Sequence, residues 1–208
     1  STRRAMDLLS EAVHRAAYTD KVVYGLDFAA TGFYNPEKDH YNFEGSKKSR
    51  EELVEFIKQL VDDYPSIVSI EDPLHENDLE GMKILTQEFS DNLIIGDDMF
   101  ATNIKRIQKG LKLGAANATL CKLNQIGTLT EALETVNFAR QNNFDVVISE
   151  RSGETEDRIL SDISVAFNAP LFKTGGIRGS DRGTNYNRFI EIETELGSSA
   201  VYAGENYR

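Results

Sequence analysis

The chain has 208 residues, enough for one sizeable core, and its 34 acidic against 23 basic residues leave a net charge of -11. That balance, with no Lys/Arg stripe, argues against general nucleic-acid binding, and no apolar stretch approaches membrane-spanning length. The single Cys121 excludes an internal disulfide framework and suits a reducing compartment.

The start, Ser1-Thr2-Arg3-Arg4-Ala5, carries neither an initiator Met nor the apolar core of a signal peptide. Met6 to Ala17 reads as an amphipathic helix with Met6, Leu9, Val13 and Ala17 on one stripe. Lys21 to Asp27 reads as a strand whose Val-Val-Tyr-Gly-Leu core suits burial on both faces. Thr31 to Ser49 is polar and reads as a long excursion or hairpin. Ser49-Arg50-Glu51-Glu52 is an N-cap with acids in the first turn, opening a helix to about Asp63 that Pro65 stops. Ile67 to Ile70 is the next strand, Leu79 to Phe89 a helix, and Leu93 to Ile95 a strand. Thr102-Asn103 caps a helix through about Leu113, Ala118 to Cys121 forms a strand, and Thr128 starts a helix ending near Asn142. Val146 to Ile148 is a strand, Asp157 to Phe167 a helix, Pro170 to Phe172 a short strand, and Tyr186 to Leu196 the last long helix.

This alternation predicts an α/β fold with a parallel sheet. Six strands are visible where a closed (β/α) barrel uses eight, and no Gly-rich phosphate turn follows the first strand. The expectation is one partial barrel domain over residues 1–208, belonging to a longer polypeptide.

The apolar runs end in Asp27, Glu71, Asp97, Lys122, Glu150 and Lys173. In a barrel such ends converge on the mouth that carries the active site. Asp27, Glu71 and Asp97 offer hard oxygen ligands to Mg²⁺, with Asp72 and Asp98 beside them as outer partners. A single acid at a strand end more often caps a helix or stays solvated; three on successive strands reverse that weighting. Lys122 leaves a buried run, where a lysine is costly unless paired, and such a group suits a general base. The plainer reading is a lysine that snorkels to the surface. Arg151-Ser152-Gly153 before a helix start suits a phosphate, through bidentate Arg contacts and backbone N–H groups. Thr155 and Glu156 also read as a capping box. An anionic substrate on so acidic a chain needs local positive charge, from a metal or from placed Lys and Arg.

These motifs together resemble the enolases. The match rests on Ser69-Ile70-Glu71-Asp72-Pro73, Gly96-Asp97-Asp98, Thr102-Asn103, the run Lys122-Leu123-Asn124-Gln125-Ile126-Gly127-Thr128, the run Arg151 to Asp157, and Lys173-Thr174-Gly175. It extends from the first helix to Ala203-Gly204. The resemblance implies a C-terminal barrel portion of a cytoplasmic glycolytic lyase, a homodimer at full length, converting 2-phosphoglycerate to phosphoenolpyruvate. It implies Mg²⁺ held by Asp27, Glu71 and Asp97, and Lys122 as the base. It implies a substrate-binding set of Glu71, Asp97, Ser149, Glu150, Arg151, Ser152 and Lys173. The general acid and the closing loops would lie in an N-terminal part outside this chain.

Three departures stand out. Enolases usually place His before the Arg-Ser pair, where this chain has Glu150, which adds like-charge repulsion near a phosphate. Thr31-Gly32 stands where Ser-Glu is typical, and Gly176-Ile177-Arg178 where Ala-Pro or similar is common. They motivate a second reading, an enolase-derived structural or interaction protein with a decayed site. A superfamily member acting on another carboxylate is disfavoured by the Arg151-Ser152 pair.

Overall fold

Every apolar run forms a parallel strand in the computed structural model, which describes residues 1–204. The elements are α1 (Thr2–Arg15), β1 (Tyr24–Asp27), β2 (Tyr34–Asn35), β3 (His40–Phe43), β4 (Ser46–Lys48), α2 (Arg50–Asp63), β5 (Ile67–Glu71), α3 (Leu79–Glu88) and β6 (Leu93–Gly96). They continue with α4 (Ile104–Leu113), β7 (Ala118–Cys121), α5 (Leu123–Ile126), α6 (Leu129–Gln141), β8 (Asp145–Ser149), α7 (Ile159–Ala166), β9 (Leu171–Lys173) and α8 (Ser180–Leu196). The fold is α/β, as the alternation predicts. Its described residues group into two compact units, one of Ser1–Met99 with Lys109–Asn117, the other of Phe100–Gln108 with residues 118–204.

In the first unit β5 pairs in parallel with β1 on one side and β6 on the other. The register sets Asp27 opposite Glu71, and Glu71 opposite Ile95. Gly25 lies opposite Ser69, and a Cβ there would come within 2.6 Å of the Ser69 hydroxyl, which would have to turn away to admit a side chain. The core beneath is aliphatic, with Leu53, Ile57, Leu60, Ile70, Met82, Leu85 and Ile94 fully buried. Each such side chain contributes about 1.5–3 kcal/mol. α2 begins as its sequence predicts: Ser49 accepts from the Glu52 backbone N–H while the Glu52 side chain reaches back to the Ser49 N–H.

The polar excursion after β1 is a three-stranded antiparallel sheet, β2-β3-β4, which bears out the hairpin reading. Its rings pack together, Phe33 on Tyr41 and Phe43, and Phe43 on Phe28 and Phe56. Two expectations need correcting. β1 is not buried on both faces; its residues alternate between half-buried and exposed because only β5 pairs with it in this unit. The α1 stripe is also less covered than its spacing predicts, since Met6 is buried while Leu9 is half exposed and Ala17 lies beyond the helix end.

In the second unit β8 pairs in parallel with β7 and β9. All four β7 residues are buried, and Val146, Val147 and Ile148 of β8 join Ala132, Val136, Ala139 and Phe144 in the core. The last helix starts six residues before its predicted Tyr186. Gly179 and Gly183 mask that start, because glycine is a poor helix former. Among the described residues no helix is long and apolar enough to cross a membrane.

Candidate functional site

In the first unit the strand exits gather carboxylates. Asp27 ends β1, Glu71 ends β5, and Asp97 follows β6. Glu71 and Asp97 are buried, and Asp27 is exposed. The Asp27 carboxylate accepts from the Ala29 N–H at 3.1 Å, turning the chain through Ala29 at φ 46°. The Phe28 and Ala30 amides then donate to the carbonyls of Glu71 and Asp72 at 3.0 and 3.1 Å, which fixes the β1 exit against the β5 exit.

Asp72 is buried and braces the β6 exit. Its two carboxylate oxygens accept from the backbone N–H groups of Asp97 at 3.0 Å and Asp98 at 2.7 Å, while its own amide donates to Ile95. Burial pushes its carboxyl up to about 7, with the Asp97 and Asp98 charges adding to the rise and the two amides opposing it. One carboxylate oxygen from each of Asp72, Asp97 and Asp98 lies within 4.8 Å of the others. Hard oxygen donors in this number, partly buried and mutually repelling, fit a divalent cation of the Mg²⁺ type. Asp97 belongs to the predicted ligand set. Asp27 and Glu71, the other two predicted ligands, are not among these three, and Asp72 braces the backbone of Asp97 and Asp98.

In the second unit Lys122 leaves β7 at the N-terminal boundary of the short helix α5. Its backbone is locked by Thr102, which is fully buried. The Thr102 hydroxyl accepts from the Lys122 N–H at 3.0 Å and donates to the Gln125 side-chain oxygen at 2.6 Å. The Thr102 carbonyl accepts from the Thr135 hydroxyl at 3.1 Å. Thr102 sits at φ 54°, a strained region for a β-branched residue, and these bonds hold it there. The sequence reads Thr102-Asn103 as the cap of α4, and Asn103 fills that role, its side chain accepting from the Lys105 N–H at 2.9 Å.

Ser149 and Glu150 at the β8 exit are buried, whereas Arg151 and Ser152 are exposed. Lys173 ends β9, and its carbonyl accepts from the Glu150 amide at 3.1 Å, so the two exits share a register. The predicted capping box at Thr155 and Glu156 does not form. Instead Thr155 accepts from the Asp157 amide at 3.3 Å and Asp157 from the Ile159 amide at 2.9 Å, and α7 begins only at Ile159. The helix N-terminus is thus set apart from the Arg151-Ser152 pair by a turn.

The repulsion expected at Glu150 is answered within the unit. Its carboxylate forms an ion pair with Arg182 and accepts from the Thr174 hydroxyl at 3.0 Å. Neither partner was legible in the sequence. Gly32, the other departure, faces open space: a Cβ there would meet nothing within 4 Å.

Residues 1–208 match the family described as enolase, C-terminal TIM barrel domain. The chain belongs to the enolase family. A curated enolase from Methanocaldococcus jannaschii is 51% identical over 208 residues, which is 100% of this chain and 48% of that protein. Enolases from Methanococcus aeolicus and Corynebacterium kroppenstedtii are each 46% identical, over 206 and 209 residues, covering 99% of this chain and 48% and 49% of their own lengths. The chain thus spans about half the length of the curated enolases it matches. The six-strand α/β reading and the family resemblance are both borne out.

Proposed function

We propose that this chain carries Mg²⁺-dependent enolase chemistry, the reversible dehydration of 2-phosphoglycerate to phosphoenolpyruvate, in a cytoplasmic protein that dimerises at full length. The observation that carries the proposal is Lys122, presented at a buried strand exit on a backbone that Thr102 locks in place. The α-proton of a carboxylate is barely acidic, and its removal needs a base fixed in position and nearby positive charge.

Lys122 takes that proton at Nζ. Asp27, Glu71 and Asp97 would hold the Mg²⁺, with Asp72 keeping the Asp97 and Asp98 backbone in place. Bound Mg²⁺ supplies the positive charge against which the substrate carboxylate is polarised. Arg151 and Ser152 contact the phosphate, their exposure leaving both side chains open to a ligand. Lys173 contacts the carboxylate side, and Ser149 and Glu150 complete the substrate-binding set that the resemblance implies. The proton delivered to the leaving hydroxyl comes from a group outside this chain. Decay of the site is the less favoured reading, since Glu150 is satisfied by Arg182 and Thr174 and the sequence keeps Asp27, Glu71, Asp97, Lys122 and Lys173.

The test is Mg²⁺-dependent appearance of phosphoenolpyruvate absorbance from 2-phosphoglycerate, with the longest form of the protein that carries this chain. Turnover abolished by chelation supports the proposal. No turnover at saturating Mg²⁺ rejects it.

A further inference from the structure

Around Glu150 lies a polar network whose other members, Arg182, Thr174, Asn185 and Ser161, have no part in the proposed reaction. Glu150 retains 8% of its side-chain exposure and Arg182 15%. One guanidinium nitrogen of Arg182 pairs with the Glu150 carboxylate and also donates to the Arg151 carbonyl at 3.0 Å. The second donates to the Ser152 carbonyl at 2.9 Å, and Nε faces Asp181 at 3.1 Å. Thr174, which donates to Glu150, accepts from the Asn185 side-chain amide at 3.2 Å. Asn185 in turn accepts from the Ser161 hydroxyl at 2.9 Å. Gly175, at φ 71°, keeps space for the pair: a Cβ there would lie 3.1 Å from Glu150 and 3.5 Å from Arg182.

The network touches the loop between β8 and α7. Residues 150–158 form neither helix nor strand. The Arg151 amide donates to the Glu154 side chain at 2.7 Å, and the two carbonyls that follow point at Arg182. A planar guanidinium can span two successive carbonyls; an ammonium, a point charge, holds one geometry less firmly.

We propose that Arg182 is a positioning residue for phosphate recognition, which fixes the main chain of Arg151 and Ser152 by holding both carbonyls while Glu150 fixes the guanidinium. The acid at position 150 then serves as an anchor for that guanidinium. The inference rests on the reading of Arg151 and Ser152 as phosphate contacts.

The test compares wild type with Arg182→Lys and with the double variant Glu150→Gln/Arg182→Gln, in the longest form of the protein. Two measurements are made: steady-state kinetics with 2-phosphoglycerate, and hydrogen exchange of the amides at 151–154. Arg182→Lys keeps the charge opposite Glu150 but loses the fork. Its KM is expected to rise about tenfold, with kcat changed by less than about threefold, as for an outer partner whose ligand contacts persist through the reaction. Exchange at 151–154 should quicken about tenfold while the rest of the second unit is unchanged. The double variant, which removes the two paired charges together, should fold normally yet show the same rise in KM and the same local exchange. Unchanged KM and exchange in both variants would overturn the proposal. So would normal KM in the double variant, which would make Arg182 a charge partner only. If wild type itself shows no turnover, the enolase reading fails, and the exchange measurement still decides whether Arg182 fixes the loop.

Discussion

Thr102→Val removes one hydroxyl and keeps the branched Cβ, so the left-handed strain at φ 54° is the same in both proteins. What is lost is the acceptor for the Lys122 amide at 3.0 Å and the donor to Gln125 at 2.6 Å, at a fully buried site. Leaving a buried polar group unsatisfied costs about 1–3 kcal/mol, so two weakened partners amount to about 3 kcal/mol. For a protein of this size each kcal/mol shifts Tm by about 2–4 °C, which gives a fall of about 9 °C. Thermal unfolding followed by circular dichroism reads this directly, and hydrogen exchange should quicken at the Lys122 amide in particular. Turnover should fall as well, because Lys122, the proposed base, then swings on an unlocked backbone. A Tm within about 2 °C of wild type, with turnover unchanged, would refute the view that Thr102 holds Lys122 in place.

Other outcomes follow from the same structure. Glu71→Gln removes a buried carboxylate proposed to hold the metal, so any rise in Tm on titrating Mg²⁺ into the wild type should shrink or vanish in the variant. Burial holds the His75 imidazole below its ordinary value near 6.5, with the ring stacked 4.0 Å from Tyr34 and its Nδ1 accepting from the Asn77 amide. Because the folded pKa is depressed, the stability this ring provides is present above about 6.5 and lost as pH falls through the lower folded value. His75→Phe should erase that step in a Tm–pH series. Burial also pushes the Cys121 thiol up to about 12, so it should resist a thiol reagent at pH 8 until denaturant opens the second unit.

Much of the fold was legible because local chemistry and tertiary packing agree. Ser49 and Glu52 spell a capping box and form one, and the Ala118–Cys121 run is apolar because every residue of it is buried. The charged strand exits were legible for the same reason: an abrupt charge after a buried run is costly unless the chain there turns to an edge. Other features depended on distant partners. The exposure of β1 reflects how many strands pair with it in this unit, which its own Val-Val-Tyr-Gly-Leu cannot encode. Thr102 reads as a helix cap in sequence, since its bond to Lys122 spans 20 positions. Arg182 lies 30 positions from Ser152 in a glycine-rich stretch with no periodic signal, so its hold on the Ser152 carbonyl is visible only in three dimensions. That is also why Glu150 looked like a liability in sequence and is a paired group in the fold.

The central claim is that Lys122 takes the α-proton, and isotope exchange at that carbon of 2-phosphoglycerate tests it most directly. In deuterated buffer with Mg²⁺, the wild-type protein in its longest form should replace the α-proton with deuterium, as followed by proton NMR. Lys122→Ala should lose that exchange by about 10²–10⁴-fold while Mg²⁺ still raises its Tm. Exchange that persists in Lys122→Ala at the wild-type rate would contradict the account, because the proton would then be leaving to another base.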